Sequence, residues 1–179
     1  LFDFPYHQLE KYNLPDALVT KYNGEWVKTS TKEYLDKANA ISRGLIRLGV
    51  NKNDKIAIIS SNNRTEWHIT DIGALQTGAQ TVPIYPTIAS EDYEYILNHS
   101  ESSYCFVSDQ EVYDKLLAVQ KNIPNLKAIY SYNDIEGCKS WKEILELGAD
   151  ESNQDVVEDR KNNVTTTDLA TIIYTSGTT

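Results

Sequence analysis

The stretch Lys55-Ile56-Ala57-Ile58-Ile59-Ser60 (KIAIIS) sets the rhythm of the chain. It is short and β-branched, the pattern of a strand, and a helical segment follows it with a start near Asn62 or Asn63. That helix is rich in small residues (Gly73, Ala74, Gly78, Ala79), which permit close packing. Three similar strand runs lie downstream: Gln80 to Tyr85, Tyr104 to Val107 and Leu126 to Tyr130. Pro83 marks the end of the first of these or an irregularity within it. Between them come segments with helix-start chemistry. Ser90 caps one that runs to His99, and Ser108-Asp109-Gln110-Glu111 reads as a capping box ahead of Val112, Leu116 and Val119. Strands separated by single helices demand right-handed crossovers. The expected architecture is therefore α/β, a mostly parallel sheet with helices on both faces in three layers.

Upstream, Asn23-Gly24 sits between Ala17 to Tyr22 and Glu25 to Thr29, so a β-hairpin with a type I′ turn is predicted. Ser30-Thr31-Lys32-Glu33 is a capping box, and Leu35, Ala38, Ile41, Leu45 and Leu48 recur at helical spacing up to a stop at Gly49. Near the other end, Ser140-Trp141-Lys142-Glu143 is a third capping box, followed by an acidic polar stretch from Ala149 to Asn163. Leu169 to Tyr174 (LATIIY) then reads as a buried-type strand. No internal repeat or low-complexity segment interrupts this order.

Composition narrows the function classes. With 179 residues, 40% of them hydrophobic, and 12 Tyr and 3 Trp, the chain has ample apolar material for a packed core. Its formal charge of -9 repels nucleic acid and anionic surfaces at long range, so no nucleic-acid partner is expected. It does not exclude ATP, since a local nest of backbone N–H groups binds phosphate whatever the net charge. Cys105, in an apolar run, reads as a small buried thiol. With Cys138 as the only other cysteine, a reducing, cytoplasmic setting fits best. His7, His68 and His99 are too scattered to form a metal site. The chain has no apolar run near the length of a membrane span, so it reads as soluble. It contains no Met and begins on Leu1, the mark of a piece trimmed from a longer protein.

In open α/β sheets ligands bind beyond the carboxyl ends of the strands. The LATIIY run delivers Thr175-Ser176-Gly177-Thr178-Thr179 to that edge. Backbone N–H groups near a Gly, together with short hydroxyls, are what a phosphate-gripping loop needs, although the same residues also make ordinary turns. The loop is not a Walker loop, because no Gly-Lys follows. Nor is it a nucleophile elbow, since Tyr174 stands where Gly is required. Arg64, Glu66, Trp67 and His68 could be mistaken for a site near a helix start; capping and packing account for them.

The segment DLATIIYTSGTT, Asp168 to Thr179, resembles the opening of the phosphate-loop signature of AMP-forming adenylating enzymes, which in that superfamily runs on through Gly, a variable residue, Pro, Lys and Gly. Arg43 to Trp67 (RGLIRLGVNKNDKIAIISSNNRTEW) is similar to the superfamily's opening βα unit. Gly73 to Thr87 (GALQTGAQTVPIYPT) resembles the form found in long-chain fatty acid CoA ligases. The resemblance implies that residues 1–179 are the N-terminal part of the AMP-binding (adenylation) domain, cut inside the phosphate-binding loop, and inactive on their own. It implies ATP, Mg²⁺ and CoA as cofactor and cosubstrates and a long-chain fatty acid as the acid. It leaves oligomeric state unspecified and allows peripheral membrane contact by the full-length enzyme. Thr175, Ser176, Gly177, Thr178 and Thr179 become the nucleotide-binding residues, with Thr178 also a magnesium ligand. No catalytic residue is expected within these residues. The rival reading is a noncatalytic nucleotide-binding α/β module that shares only the sheet.

Overall fold

In the computed structural model, which describes residues 1–175, the β-branched runs become strands of one parallel sheet. Along the chain come α1 (Phe4–Lys11), β1 (Leu18–Tyr22), β2 (Glu25–Thr29), α2 (Thr31–Arg47), β3 (Lys55–Ile59), α3 (Thr65–Gln76), β4 (Gln80–Ile84) and α4 (Ser90–His99). They are followed by β5 (Ser102–Val107), α5 (Gln110–Val119), β6 (Ala128–Ser131), β7 (Lys139–Ser140), α6 (Lys142–Leu147) and α7 (Gln154–Asn162). The chain divides into two compact units. One holds Leu1–Lys52, Asn63–Gly78 and Glu143–Asp168, and the other holds Asn53–Asn62, Ala79–Lys142 and the segment from Leu169 on.

The second unit is built on the sheet, whose strand order is β4-β3-β5-β6-β7 with every neighbouring pair parallel. Parallel partners need a crossover between them, and the intervening helices α3, α4 and α5 supply it in chain order from β3 to β6, while a loop alone joins β6 to β7. Ala57 lies opposite Val82 and Cys105, and Ile59 opposite Ile84 and Val107. These residues form one apolar cluster with Tyr93, Ile96 and Leu97 of α4 and Val112, Leu116 and Val119 of α5. The alternate positions Ile56, Ile58 and Phe106 are also buried, so both faces of the sheet are covered. Two-sided burial is why these strands read as continuous apolar runs. The expected α/β class, with a parallel sheet flanked by helices and a hairpin near the N-terminus, is what the structure contains.

Two expectations for the sheet need correction. Pro83 lies inside β4, one residue before its end and paired in regular register with Ile58, so it marks neither the end nor an irregularity. It is tolerated because β4 has a full strand partner on one side only among the described residues, and an edge strand can spare an N–H. Leu169 to Tyr174 is not a full buried strand. It meets β4 through one parallel bridge, Thr81 to Thr171, in which the Thr81 N–H donates to the Ala170 carbonyl (3.0 Å) and the Ile172 N–H to the Thr81 carbonyl (2.9 Å). Ile172 and Tyr174 turn toward the apolar cluster while Leu169 and Ile173 are exposed. The segment is thus half-buried, with burial alternating residue by residue as on a single covered face.

The first unit contains the hairpin and the paired helices α2 and α3. Asn23 (φ 49°) and Gly24 (φ 91°) occupy the left-handed region that a type I′ turn requires. The Ser30 hydroxyl accepts from the Glu33 N–H, and Glu33 Oε2 accepts from the Ser30 N–H at 2.8 Å, so the capping box is complete. Gly73 explains the small-residue run of α3: a Cβ there would lie 2.6 Å from Ile41 Cγ2 and 2.9 Å from the Ala38 carbonyl oxygen of α2. The Ser42 hydroxyl also bonds the Gly73 carbonyl at 2.8 Å.

Other starts and stops differ from the sequence reading. The residue preceding α3 is Arg64, not Asn62 or Asn63, and its side chain is committed to an ion pair with Glu66 instead of a cap. Ala89 occupies the cap position of α4, so Ser90 is the first helical residue, and Asp92 Oδ2 accepts from the Ala89 N–H. For α5 the cap is Asp109, which accepts from the Val112 N–H, while the Ser108 hydroxyl bonds Asp109. Ser140 belongs to β7, and its hydroxyl accepts from the Lys142 N–H at the start of α6. The acidic stretch from Ala149 to Asn163 contains α7, held by Val157, which is buried, and by Gln154, which accepts from Arg43 Nη1 at 2.6 Å.

Candidate functional site

The carboxyl end of β4 opens into a cleft of about 480 Å³ within the sheet unit. Pro83, Ile84, Tyr85 and Ile88 line it from the strand and the loop after it, Asp92, Tyr95 and Ile96 from α4, and Tyr174 and Thr175 from the terminal segment. Because the Thr81 to Thr171 bridge is parallel, the terminal segment runs with β4 and carries Thr175 to that same edge. This is where an open α/β sheet places its ligand. Asp92 is the one charged residue of this lining, so the wall suits a ring or hydrocarbon better than phosphate. Beside it, Glu91 and Glu94 line a shallower hollow with Tyr95, Asn98 and His99, whose negative charge also disfavours anions.

Tyr174 is the last residue before Thr175 and is fixed from two directions. Its phenol oxygen lies 2.7 Å from His99 Nδ1, a hydrogen bond. The Tyr95 ring stacks on His99 at 5.5 Å between centroids, and the Tyr174 ring stands edge-on to both. Burial raises the Tyr174 hydroxyl above its ordinary pKa, so it stays protonated at neutral pH. The α-helical spacing of Tyr95 and His99, i and i+4, puts both rings on one face of α4. That spacing was visible in the sequence, where His99 read as a helix end and as one of three scattered histidines.

Of the five loop residues singled out, Thr175 is exposed on the rim of the cleft. Ser176, Gly177, Thr178 and Thr179 lie outside the described residues. The polar group at Arg64 belongs to the first unit and is structural. Arg64 Nη2 lies 2.8 Å from Glu66 Oε1, Arg64 Nε 3.0 Å from Oε2, and the Tyr22 hydroxyl donates to Oε2 at 2.6 Å. Trp67 and His68 pack edge-to-face, and burial lowers the His68 pKa against a weaker opposing pull from Asp71. Among the described residues no three His, Cys, Asp or Glu side chains gather as a metal site.

Residues 7–179 match the family model described as AMP-binding enzyme. The chain belongs to the AMP-binding enzyme family. This AMP-binding chain is 35% identical over 97% of its length to the long-chain-fatty-acid–CoA ligase ACSBG2 of Xenopus laevis, covering 24% of that protein. It is 32% identical over 96% of its length to ACSBG2 of Gallus gallus, covering 23% of it. It therefore spans about a quarter of the length of these relatives. In fold it is similar to the crystal structure of the long-chain-fatty-acid-CoA ligase FadD1 from Archaeoglobus fulgidus. The TM-score is 0.80 at 23% identity, covering 99% of this chain and 34% of that one.

Proposed function

We propose that residues 1–179 form the N-terminal part of the adenylation domain of a long-chain fatty acid CoA ligase. Thr175, Ser176, Gly177, Thr178 and Thr179 begin the loop that grips the phosphates of MgATP. The observation that carries the reading is the identity of about a third over nearly the whole chain to proteins named for that activity. The emergence of Thr175 at the carboxyl edge of the sheet supports it. A noncatalytic module sharing only the sheet is the weaker reading, because the match follows the sequence from residue 7 into the loop.

The reaction has two steps. The fatty carboxylate oxygen attacks the α-phosphorus of ATP, forming the acyl–O–P bond and breaking the bond to the β-phosphate, so that pyrophosphate leaves. The CoA thiol, losing its proton, then attacks the acyl carbon and AMP departs. A carboxylate is a poor electrophile, and the mixed anhydride supplies the leaving group that it lacks. This chain's part is positioning: backbone N–H groups and short hydroxyls hold the β- and γ-phosphates where charge develops. The magnesium that arrives on the nucleotide needs hard oxygen ligands. The Thr178 hydroxyl would contribute one such ligand beside those of the phosphates. Neither Cys105 nor Cys138 is in a disulfide, which fits a cytoplasmic parent.

The test is Thr178→Ala in the full-length parent. Loss of one such contact should slow adenylation roughly 30- to 1,000-fold. Transfer from supplied acyl-AMP to CoA should be much less affected, since pyrophosphate has already left. Equal losses in both half-reactions, or none in adenylation, would refute the loop assignment.

A further inference from the structure

We propose that His99 is a positioning residue for the nucleotide loop, acting through Tyr174. The proposal rests on the phosphate-loop reading above and adds to it what holds the loop's root. Ladder bonding between the terminal segment and β4 is centred on Thr81, with Ala170 and Ile172 as its partners. Beyond Ile172 the chain still has to reach Thr175 in a defined direction. The side chain of Tyr174 supplies that direction. Its hydroxyl meets His99 Nδ1 at 2.7 Å, and its ring stands perpendicular to both His99 and Tyr95, with interplanar angles of 87°.

His99 is itself well placed to be a fixed point. It is the last residue of α4, a helix seated on the sheet through Tyr93, Ile96 and Leu97. Tyr95, one turn earlier, stacks on its ring at 5.5 Å with planes 23° apart and limits its rotation. The helix, the imidazole, the phenol and the backbone of Thr175 thus form one continuous chain of contacts. A residue that acts by this route never touches the nucleotide, yet it fixes where the chain enters the loop at Thr175.

Glu91 and Glu94 of its own helix share a hollow with the imidazole. The terminal segment contributes the Tyr174 phenol.

The experiment uses the full-length parent carrying His99→Ala, His99→Asn, Tyr174→Phe and the Ala/Phe double substitution. Each is checked for native circular dichroism and cooperative unfolding. MgATP affinity is read by calorimetry and adenylation by pyrophosphate exchange. His99→Ala and Tyr174→Phe should each weaken MgATP binding about 3- to 10-fold, the size of one neutral hydrogen bond. The double variant should be no worse than either single one. Asn, whose side chain can reach the Nδ1 position, should restore most of the loss, and transfer from acyl-AMP to CoA should be unchanged. Wild-type affinity in His99→Ala, or additive losses in the double variant, would overturn the proposal while leaving the activity reading intact. A wild-type parent that binds no MgATP would instead defeat the nucleotide reading. The bond between His99 and Tyr174 is then judged by the ring ¹⁵N resonances of His99, which must shift in Tyr174→Phe. Unchanged resonances would show that the bond does not exist in solution.

Discussion

Glu66→Gln, a change of one atom in a nearly buried pair, should be among the more damaging substitutions in the first unit. The side chains of Arg64 and Glu66 are only 6% and 12% exposed, and the guanidinium meets the carboxylate through two bonds of 2.8 and 3.0 Å. The Tyr22 hydroxyl, from the hairpin, donates a third at 2.6 Å, and its ring lies under Arg64 at 5.8 Å. One carboxylate therefore joins β1 to the start of α3. Burial alone would raise the Glu66 pKa, but the bonds from Arg64 and Tyr22 outweigh it and hold the carboxyl below its ordinary value. In turn, burial and the bond to Glu66 push the Tyr22 hydroxyl up to about 12. Removing the negative charge leaves the Arg64 cation in low dielectric without its carboxylate, which for such pairs costs about 3–5 kcal/mol. Replacing both members, as in Arg64→Met with Glu66→Leu, should cost clearly less than the sum of the single losses.

Urea unfolding at pH 7 measures these differences, and its pH dependence supplies a second check. The folded pKa of Glu66 is depressed, so its contribution is fully present above the unfolded value near 4.5 and is lost as pH falls through the lower, folded value. The Gln variant should lack that share of the acid destabilisation. A loss under about 0.5 kcal/mol at pH 7, or an unchanged acid limb, would refute the reasoning.

Three further outcomes follow from the packing. Gly73→Ala forces a methyl against Ile41 and the Ala38 carbonyl, and should cost about 1–3 kcal/mol in the same assay. Ser30→Ala removes half of a complete capping box and should cost about 1 kcal/mol. Iodoacetamide, followed by mass spectrometry, should label half-buried Cys138 in the folded chain and spare Cys105. The latter is fully buried, and its thiol pKa is raised chiefly by that burial.

The sheet was legible because its chemistry is redundant: KIAIIS, the run around Cys105 and the run ending at Tyr130 each carry enough buried β-branched or aromatic residues to identify a strand locally. The hairpin was equally plain, since Asn23-Gly24 leaves few other turns open. Boundaries were not, because capping is a competition among neighbours. Arg64 was drawn into an ion pair, and Asp109 displaced Ser108 with a stronger acceptor. The two-residue strand β7 carries too little pattern to be seen without its partner β6. For LATIIY the composition was misleading: apolar residues suggested burial on two faces where the apolar cluster covers only one. At the site, Thr175 was visible by its position after a strand. The pairing of His99 with Tyr174 was not, since it joins residues 75 positions apart and only the fold brings them together.

As proposed above, the full-length parent of this chain is a long-chain fatty acid CoA ligase. The most direct test is exchange of labelled pyrophosphate into ATP by the full-length parent, with and without palmitate and magnesium, alongside the isolated 179 residues. Exchange that requires both palmitate and magnesium is expected from the parent, and none from the isolated residues, which span about a quarter of the relatives' length. A folded parent that fails to exchange with any long-chain fatty acid, or isolated residues that exchange robustly, would contradict it.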